Sequence, residues 1–591
     1  MASVFSLDKQ VASLPKHGFP LSHIFDFTSS CGHIIPVFYD QLNPGEKIRF
    51  SCDLFTRTQP LSSPAMVDID EYIDLFFIPL RKISAVADNV LFQISDLPSS
   101  NFVDQTGTLI PSTQYPLPLL DLSALYCPSD GTANQYLGVW NDASPYGYGF
   151  ESFYSGSVRL FDALGVDPSV LLQPNATVYT PKISPAAFAC YQAIYFDYFR
   201  LSNWENNDVL AYNLDAGYKT MELLTTNSPW TLSNKLRSLL QLRYRAKQKD
   251  YFTNVFPSPL VATQGMLTSA LDNLTNVNNW LVNSTLNPIN QAGSAQFSNN
   301  ASTVASYYTP TYNVAREFIN SSASNLRTLF AVDKLLKITG RAGKHYDDQV
   351  LAHFGFKVPE GFSNEVVHIG QHHSQIHIGE VISTASTSDG NLGELAGKGY
   401  GKGISSLGDF TAPCHGFVMA VYSSAPRVCY IGGLNRIHTN VSRYDWFIPE
   451  LDNLGMQPMF NYERFVVNGT PTGRRAWQLR YSQMKLKYNR ATYAFLSSLS
   501  IPNVLLDQKG PFADWVINDL GFLTFSFSDL LVNPCLINQV MLSSYIPTDD
   551  RAVIDVNPER IYASDPLIHH LSMTVSKISG MSVYGLDDKA I

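Results

Sequence analysis

Short runs of β-branched and aromatic residues stand at both ends of the chain, and they limit its fold more than any other feature. The N-terminal runs are Leu21 to Phe27, Ile34 to Tyr39, Lys47 to Phe55 and Asp70 to Ile78. The later runs are Glu365 to Ile369, Ile376 to Ile382, Gly416 to Tyr422, Trp477 to Tyr488 and Leu571 to Val575. Runs of this kind, bounded by Pro and Gly, predict β-strands. The sequence therefore predicts a strand-dominated fold whose two ends bracket a different middle.

Two segments of the middle differ in composition from the rest. From Ile83 to Val158 there is no Lys or Arg, whereas seven acidic residues occur, so this acidic insertion (83–158) should avoid phosphate. From Tyr251 to Ala315 the only charged residue is Asp272. We interpret this uncharged polar insertion (251–315) as a long exposed excursion, with a disordered linker as the alternative.

Two helices are predicted between the strand regions. The first begins with Ser184 as cap and Pro185 at its first position, and carries aromatic residues at helical spacing, namely Phe188, Tyr191, Tyr195 and Tyr198. The second spans roughly Ser324 to Ile338, where leucines form one apolar stripe that predicts packing over a sheet.

Charged residues make up only 15% of the chain, against about 25% in typical soluble proteins. Aromatic residues are plentiful, with 35 Phe, 31 Tyr and 7 Trp. Depleted charge and abundant aromatics are typical of surfaces that contact other chains. The seven cysteines have no CxxC spacing, which favours reduced thiols, and no signal peptide or membrane-spanning run is evident. We therefore expect a soluble protein made in the cytoplasm, without membrane insertion.

Groups that could carry chemistry do not reach the spacing that catalysis needs. Six histidines lie between His345 and His377, but on one strand His373 and His377 would share one face while His368 and His372 share the other. Metal binding is thus disfavoured, and surface or interface imidazoles that respond to pH are the alternative. The glycine-rich run from Gly393 to Gly403 lacks phosphate-loop spacing and predicts a flexible loop bearing Lys398 and Lys402. We expect no enzyme, no cofactor and no metal.

Two basic clusters carry a clearer signal. The C-terminal cluster combines cations with aromatic residues and contains Arg474, Arg475, Trp477, Arg480, Tyr481, Lys485, Lys487, Tyr488 and Arg490. The earlier cluster contains Lys235, Arg237, Arg243, Arg245, Lys247 and Lys249. Cations with interleaved rings can neutralise phosphates and stack on unpaired bases, which suits single-stranded nucleic acid. The alternatives are solvated faces or salt bridges between subunits.

Ordered segments along the chain resemble a known family. They are Asp74 to Arg81, Ala189 to Arg200, Arg243 to Thr253, Gly340 to Tyr346, Ser442 to Glu450 and Met581 to Gly585. In this order they are similar to the major capsid proteins of the Microviridae, the small icosahedral single-stranded DNA phages, and especially to the gokushovirus-like, gut-associated branch.

The resemblance implies a single all-β antiparallel jelly roll of about eight strands, with long loop insertions carrying a few helices. It also implies a closed icosahedral shell of identical subunits around circular single-stranded DNA, with basic and aromatic residues on the inner wall. Further implied partners are a DNA pilot protein, a small DNA-packaging protein and a host-cell receptor. Part of the uncharged insertion, including Asn273, Trp280 and Asn283, would then contact the host.

Two other functions remain open from the residues. Many Trp and Tyr residues beside a polar excursion would also fit a carbohydrate-binding jelly roll that acts as an adhesin or receptor-binding protein. An enzyme is a third, weaker interpretation, because no nucleophile, metal or acid–base spacing stands out.

Overall fold

The structure is a computed structural model of the chain, and its described residues cover most of the predicted strands. They are 15–29, 31–58, 68–84, 87–92, 120–121, 156–166, 182–202, 205, 207–214, 238–257, 334–335, 338–339, 342, 345–358, 364–382, 395–427, 430, 433–441, 443–452, 456–464, 474–490, 492, 516–517, 523–524 and 567–583. Most of the acidic insertion, most of the uncharged insertion and most of the predicted helix at 324–338 lie outside them.

Eleven strands longer than two residues are described. They are β1 His17–Pro20, β2 His23–Ser29, β3 Ile34–Leu42, β4 Lys47–Thr58, β5 Ile69–Pro79, β6 Val367–Ile382, β7 Leu395–Thr411, β8 Gly416–Pro426, β9 Met456–Phe460, β10 Arg474–Leu479 and β11 Leu567–Ser579. Two short ladders join Leu120–Asp121 to Lys182–Ile183 and Val516–Ile517 to Leu523–Thr524.

The helices among the described residues are short and lie in the connections between strands. They are α1 Leu80–Ile83, α2 Ala87–Phe92, α3 Gly156–Ala163, α4 Ala186–Ile194, α5 Val209–Tyr212, α6 Tyr346–Phe354, α7 Asn461–Arg464 and α8 Ser482–Lys485. A π-helical turn, Tyr195–Phe199, extends α4, and 3-10 turns occur at Arg436–Thr439, Arg443–Asp445 and Pro449–Leu451. The helix predicted after Ser184 is confirmed, beginning one residue later than expected because Pro185 is its cap.

The main sheet has the order β1-β11-β4-β7-β6-β5-β8-β3, with β2 also pairing β11, and all its pairs are antiparallel. Strand pairs nest along the chain: β5 with β6, β4 with β7, β3 with β8, and the first strands with β11. A long nested hairpin that rolls up in this way is a jelly roll. The predicted all-β antiparallel jelly roll is therefore confirmed. Because β1 and β2 pair with successive parts of β11, they occupy one strand position, and the roll has eight positions as predicted.

The two halves of the rolled sheet enclose an apolar interior. Strands β3, β4, β5, β8 and β11 all contribute to it, with side chains such as Phe50, Leu75, Tyr422 and Leu571 almost fully buried. A second core covers the outer side of β5 and β8, where Phe76 and Met419 pack against α3, α4 and Leu239. The helices thus form a layer over one half of the roll.

Two sequence predictions are wrong for local physical reasons. The strand expected from Trp477 to Tyr488 ends at Leu479, because Tyr481 adopts the left-handed region at φ 61° and α8 follows. The flexible loop expected from Gly393 to Gly403 instead lies largely within β7, which begins at Leu395.

Alternating glycines allow β7 to lie against its neighbours. A Cβ at Gly399 would lie 2.6 Å from Thr58 Cγ2, and one at Gly401 would lie 2.9 Å from Glu71 Oε2. At Gly403 it would lie 2.4 Å from His372 Cε1. The three glycines therefore share the crowded inner face, and their period of two is a strand signal.

A buried polar network lies inside the roll. Thr56 and Tyr422 each donate a 2.7 Å hydrogen bond to Glu71 Oε1. His569 joins the network through Thr56 Oγ1 at 2.8 Å from Nδ1 and through Ser29 Oγ at 2.7 Å from Nε2. Burial raises the pKa of Glu71 above its usual value, and the hydroxyl donors only partly oppose this. The folded state therefore favours the neutral carboxyl group.

We predict that Gly370→Ala destabilises the subunit, since a Cβ there would lie 1.9 Å from the carbonyl oxygen of Leu407, a backbone atom that cannot rotate away. The expected loss in the free energy of unfolding is about 3 kcal/mol by urea denaturation. Gly379→Ala in the same strand is the control, because its nearest atom is 3.8 Å away. Equal stability of the two variants would contradict the packing argument.

We predict that Glu71→Gln stabilises the subunit at neutral pH. Because the folded pKa is raised, the contribution of Glu71 to stability is complete below the unfolded pKa of about 4.3 and declines as the pH rises above it. The amide oxygen of the glutamine side chain can still accept both hydroxyl bonds and carries no charge. Urea denaturation across pH should give equal stability near the unfolded pKa and a growing advantage of the variant above it.

Asp409→Asn is the control for this experiment, because hydrogen bonding by Lys47 lowers the pKa of the Asp409 carboxyl group. It should give no advantage at neutral pH. A loss of stability in the Glu71→Gln variant at neutral pH would refute the prediction.

Candidate nucleic-acid interface

Residues from both basic clusters meet at one cleft of ≈ 240 Å³. It is lined by Lys247, Gln248, Lys249, Asp250, Pro426, Arg427, Tyr430, Lys487, Tyr488 and Asn489. Four cations and one carboxylate thus surround it, together with two tyrosine rings. The two clusters are more than 200 residues apart in the sequence, and nothing in the sequence indicated that they would line the same cleft.

Backbone pairing brings the two clusters together. Phe256 and Trp477 exchange two hydrogen bonds of 2.8 Å and 2.9 Å, which fixes the end of the first segment against β10. Beneath the cleft a small core contains Tyr251, Phe252, Tyr430 and Met459, and Tyr488 packs on it with its ring 4.6 Å from that of Phe252. The cleft therefore has a rigid aromatic floor.

Local turns position the cleft lysines. Asp250 Oδ1 accepts hydrogen bonds from the backbone N–H groups of Phe252 and Thr253 at 2.8 Å and 2.9 Å. The Gln248 side chain donates a hydrogen bond to Asp70 Oδ2, which holds the segment that carries Lys247 and Lys249 against β5. The carboxylate of Asp250 is engaged by this turn, whereas Lys249 and Lys487 are exposed and form no ion pair within the described part of the chain.

Arg243 and Arg245, both predicted as nucleic-acid contacts, have partners inside the subunit. Arg243 is 8% exposed, donates to Gln192 Oε1 at 2.8 Å and lies over the rings of Tyr195 and Phe196. Arg245 donates to Ser423 Oγ at 2.7 Å and lies 3.9 Å from the centre of the Tyr72 ring. Their charges stabilise the seam between the helix layer and the sheet.

The remaining predicted residues are divided between interior and surface. Tyr481 is buried, accepts a hydrogen bond from the Ile448 N–H and packs edge-on against Phe447, so its ring is not available as a stacking platform in this structure. Lys485 pairs with Asp452 at 3.0 Å, and Arg480 lies over the Tyr481 ring. Arg490 is exposed beside the cleft, where its backbone bridges to that of Tyr430. Trp477 is partly buried, and Arg474 and Arg475 lie on β10 without described side chains.

Sequence reasoning missed Arg427, which follows the last residue of β8 and lines the cleft. Its guanidinium donates to both oxygens of Asp70, at 2.9 Å and 3.1 Å. Burial alone would raise the pKa of Asp70, but the hydrogen bonds from Arg427 and Gln248 outweigh it, so the pKa is lowered. A lone arginine after a strand carries no sequence signal of this role.

The histidine run does not gather into one site. His372 is buried inside the roll, 2.7 Å from Ser405 Oγ, while His373 is exposed beside Asp70. His368 stacks on Tyr198 under the helix layer, so the prediction that it shares a face with His372 is wrong, because a register shift in the β5–β6 pairing separates them. Among the described residues, no three His, Cys, Asp or Glu side chains converge as metal ligands.

Other predicted features fall partly or wholly outside the described residues. Asn273, Trp280 and Asn283 lie outside them, as do Lys235 and Arg237. The uncharged insertion begins inside the subunit, since Tyr251, Phe252 and Val255 are buried. Within the described ranges, no helix has the length and apolar character needed to cross a bilayer.

Comparison with known proteins identifies the family. Residues 9–126 and 161–513 match the family described as capsid protein (F protein). The chain is 21% identical to capsid protein VP1 of Chlamydia phage 1, over 93% of each chain. It is 22% identical to capsid protein VP1 of Bdellovibrio phage phiMH2K, covering 79% of this chain and 80% of the relative. These matches favour the capsid interpretation over the adhesin alternative. The chain therefore belongs to the capsid protein (F protein) family, which confirms its resemblance to the major capsid proteins of the Microviridae.

Proposed function

We propose that this chain is the subunit of a small icosahedral phage shell that encloses a circular single-stranded DNA genome, and that it acts without catalysis or cofactor. The family match over residues 9–126 and 161–513 carries the proposal. The nested jelly roll and the low charge content of 15% support it, because a closed shell needs broad neutral faces that sister subunits cover.

The cleft defined by Lys247, Lys249, Arg427, Lys487 and Tyr488 is the proposed contact with the genome. Exposed lysines can neutralise phosphates without reading sequence, and the tyrosines can stack on unpaired bases. Lys249, Lys487 and Arg490 are the strongest candidates, since no ion pair within the described residues competes for their charges.

The outer loops are the proposed contact with the bacterial host. Part of the uncharged insertion, with Asn273, Trp280 and Asn283, would project from the shell towards a cell-surface receptor. A DNA pilot protein and a small DNA-packaging protein complete the proposed set of partners, and assembly would take place in the host cytoplasm.

Expressed full-length protein should form closed particles that electron microscopy resolves. We expect shells of uniform size, because identical copies with closed symmetry give one geometry. Absorbance of purified particles should reveal co-purified nucleic acid. Protein that stays monomeric under all assembly conditions, including added single-stranded DNA, would contradict the proposal.

Neutralising the cleft should reduce DNA binding. In the triple variant Lys249→Gln/Lys487→Gln/Arg490→Gln, the salt dependence of oligo-dT binding should become less steep by about 2, because each phosphate contact contributes roughly 0.7 to the logarithmic slope. Fluorescence anisotropy over a salt series measures it. The control is Lys334→Gln/Lys357→Gln, which changes two exposed lysines that do not line the cleft. An unchanged slope in the triple variant would remove the cleft from the genome contact.

A further inference from the structure

The outer side of β4 and β7 is a sheet face that the helix layer leaves open. Phe55 on β4 is 41% exposed, and Tyr400 on β7 is 59% exposed. Arg57, Lys398 and Lys402 are also exposed and lie on the same side of their strands. We name these five residues the β4–β7 face.

Strand register arranges the face into two neighbouring rows. In one row Arg57 is opposite Tyr400, and Tyr400 is opposite His377 of β6. In the next row Lys402 is opposite Phe55, and Phe55 is opposite His570 of β11. Adjacent strands are about 4.8 Å apart, so each aromatic ring lies within reach of a cationic side chain. Aromatic and basic side chains therefore interleave on this surface.

No acid of the described residues engages the cations of this face. Arg57, Lys398 and Lys402 form no ion pair or hydrogen bond through their side chains within the described residues. Of the described carboxylates nearby, Asp26 pairs with His570 at 2.6 Å, and Asp53 lies one row away, opposite Ile404. Asp409, at the far end of β7, pairs with Lys47 and Arg49. The face thus presents an excess of positive charge.

We propose that the β4–β7 face is a second contact for single-stranded nucleic acid, with Arg57, Lys398 and Lys402 holding phosphates and Tyr400 and Phe55 stacking on bases. This proposal rests on the proposed genome-enclosing function, but its surface lies on β4 and β7, whereas the cleft lies beside β5 and β8. Interleaved cations and rings are what a flexible, sequence-independent single strand requires. A second copy of the chain fits less well, because lysine is depleted at the core of interfaces between subunits.

The β4–β7 face is connected to the cleft by exposed residues of β6. His373 lies 3.3 Å from Asp70 and packs near Tyr72, and Gln248 beside the cleft lysines contacts the same two residues. His377, four residues further along the same face of β6, is opposite Tyr400. One strand of nucleic acid could therefore follow the surface from the cleft to the face.

The test measures oligo-dT binding by the full-length protein over a salt series. Lys398→Gln/Lys402→Gln should make the logarithmic salt dependence less steep by about 1.4. Tyr400→Ala should weaken binding roughly fivefold to a hundredfold through lost stacking, while Tyr400→Phe keeps the ring and binds as wild type. Lys334→Gln/Lys357→Gln is again the control and should leave the slope unchanged.

Several outcomes would overturn the proposal, and they separate it from the cleft. If the face variants bind as wild type while the cleft variant loses affinity, this inference fails and the proposed function stands. If the face variants bind normally but no longer form particles, the face contacts a second copy instead. If cleft and face variants all bind as wild type, both proposed contacts fail.

Discussion

Strand β5 carries three buried acidic side chains, and their partners come from β4, β6, the end of β8 and the segment 245–248. Asp70 is held by Arg427, Gln248 and His373, and Glu71 by Thr56, Tyr422 and Ser374. Asp74 is held by Arg245, His368 and Gln371. A buried carboxylate without partners is costly, so each one specifies which segments must lie beside β5. Because side chains alternate along a strand, Glu71 organises the interior while Asp70 and Asp74 organise the outer seam.

The outer seam couples fold to function. Asp70 fixes both Arg427 and Gln248, and these two residues flank the lysines of the cleft. Asp74 pairs with Arg245, whose guanidinium also lies over the rings of Tyr72 and Phe199. This pair anchors the segment that leads to the cleft lysines. The position of the basic cleft is therefore set by ion pairs that belong to the sheet, while Lys249 and Lys487 are exposed and form no ion pair within the described residues. That division leaves their charges available to a ligand.

Sequence patterns predicted the strands better than the site. Runs of β-branched and aromatic residues bounded by Pro and Gly located β3, β4 and β5 within a few residues, because these strands are largely buried. Strand β7 was predicted as a loop, since its inner positions are glycines that leave room for Thr58, Glu71 and His372. The reason for glycine at these positions is visible only in the three-dimensional arrangement of the neighbouring strands. The cleft could not be predicted either, because it depends on a pairing between Phe256 and Trp477 that no local pattern reveals.

The earlier basic cluster shows why counting cations overstates a nucleic-acid site. Its two described arginines, Arg243 and Arg245, lie over aromatic rings and reach internal acceptors, whereas Lys249 lines the cleft and is exposed. The planar guanidinium forms several directed hydrogen bonds and stacks on rings, so it suits partly buried seams, while the strongly hydrated ammonium group favours water. Residue type within a mixed cluster therefore separates the charges used for folding from those that face solvent. The same distinction applies to the β4–β7 face, where two of the three cations are lysines and none is paired within the described subunit.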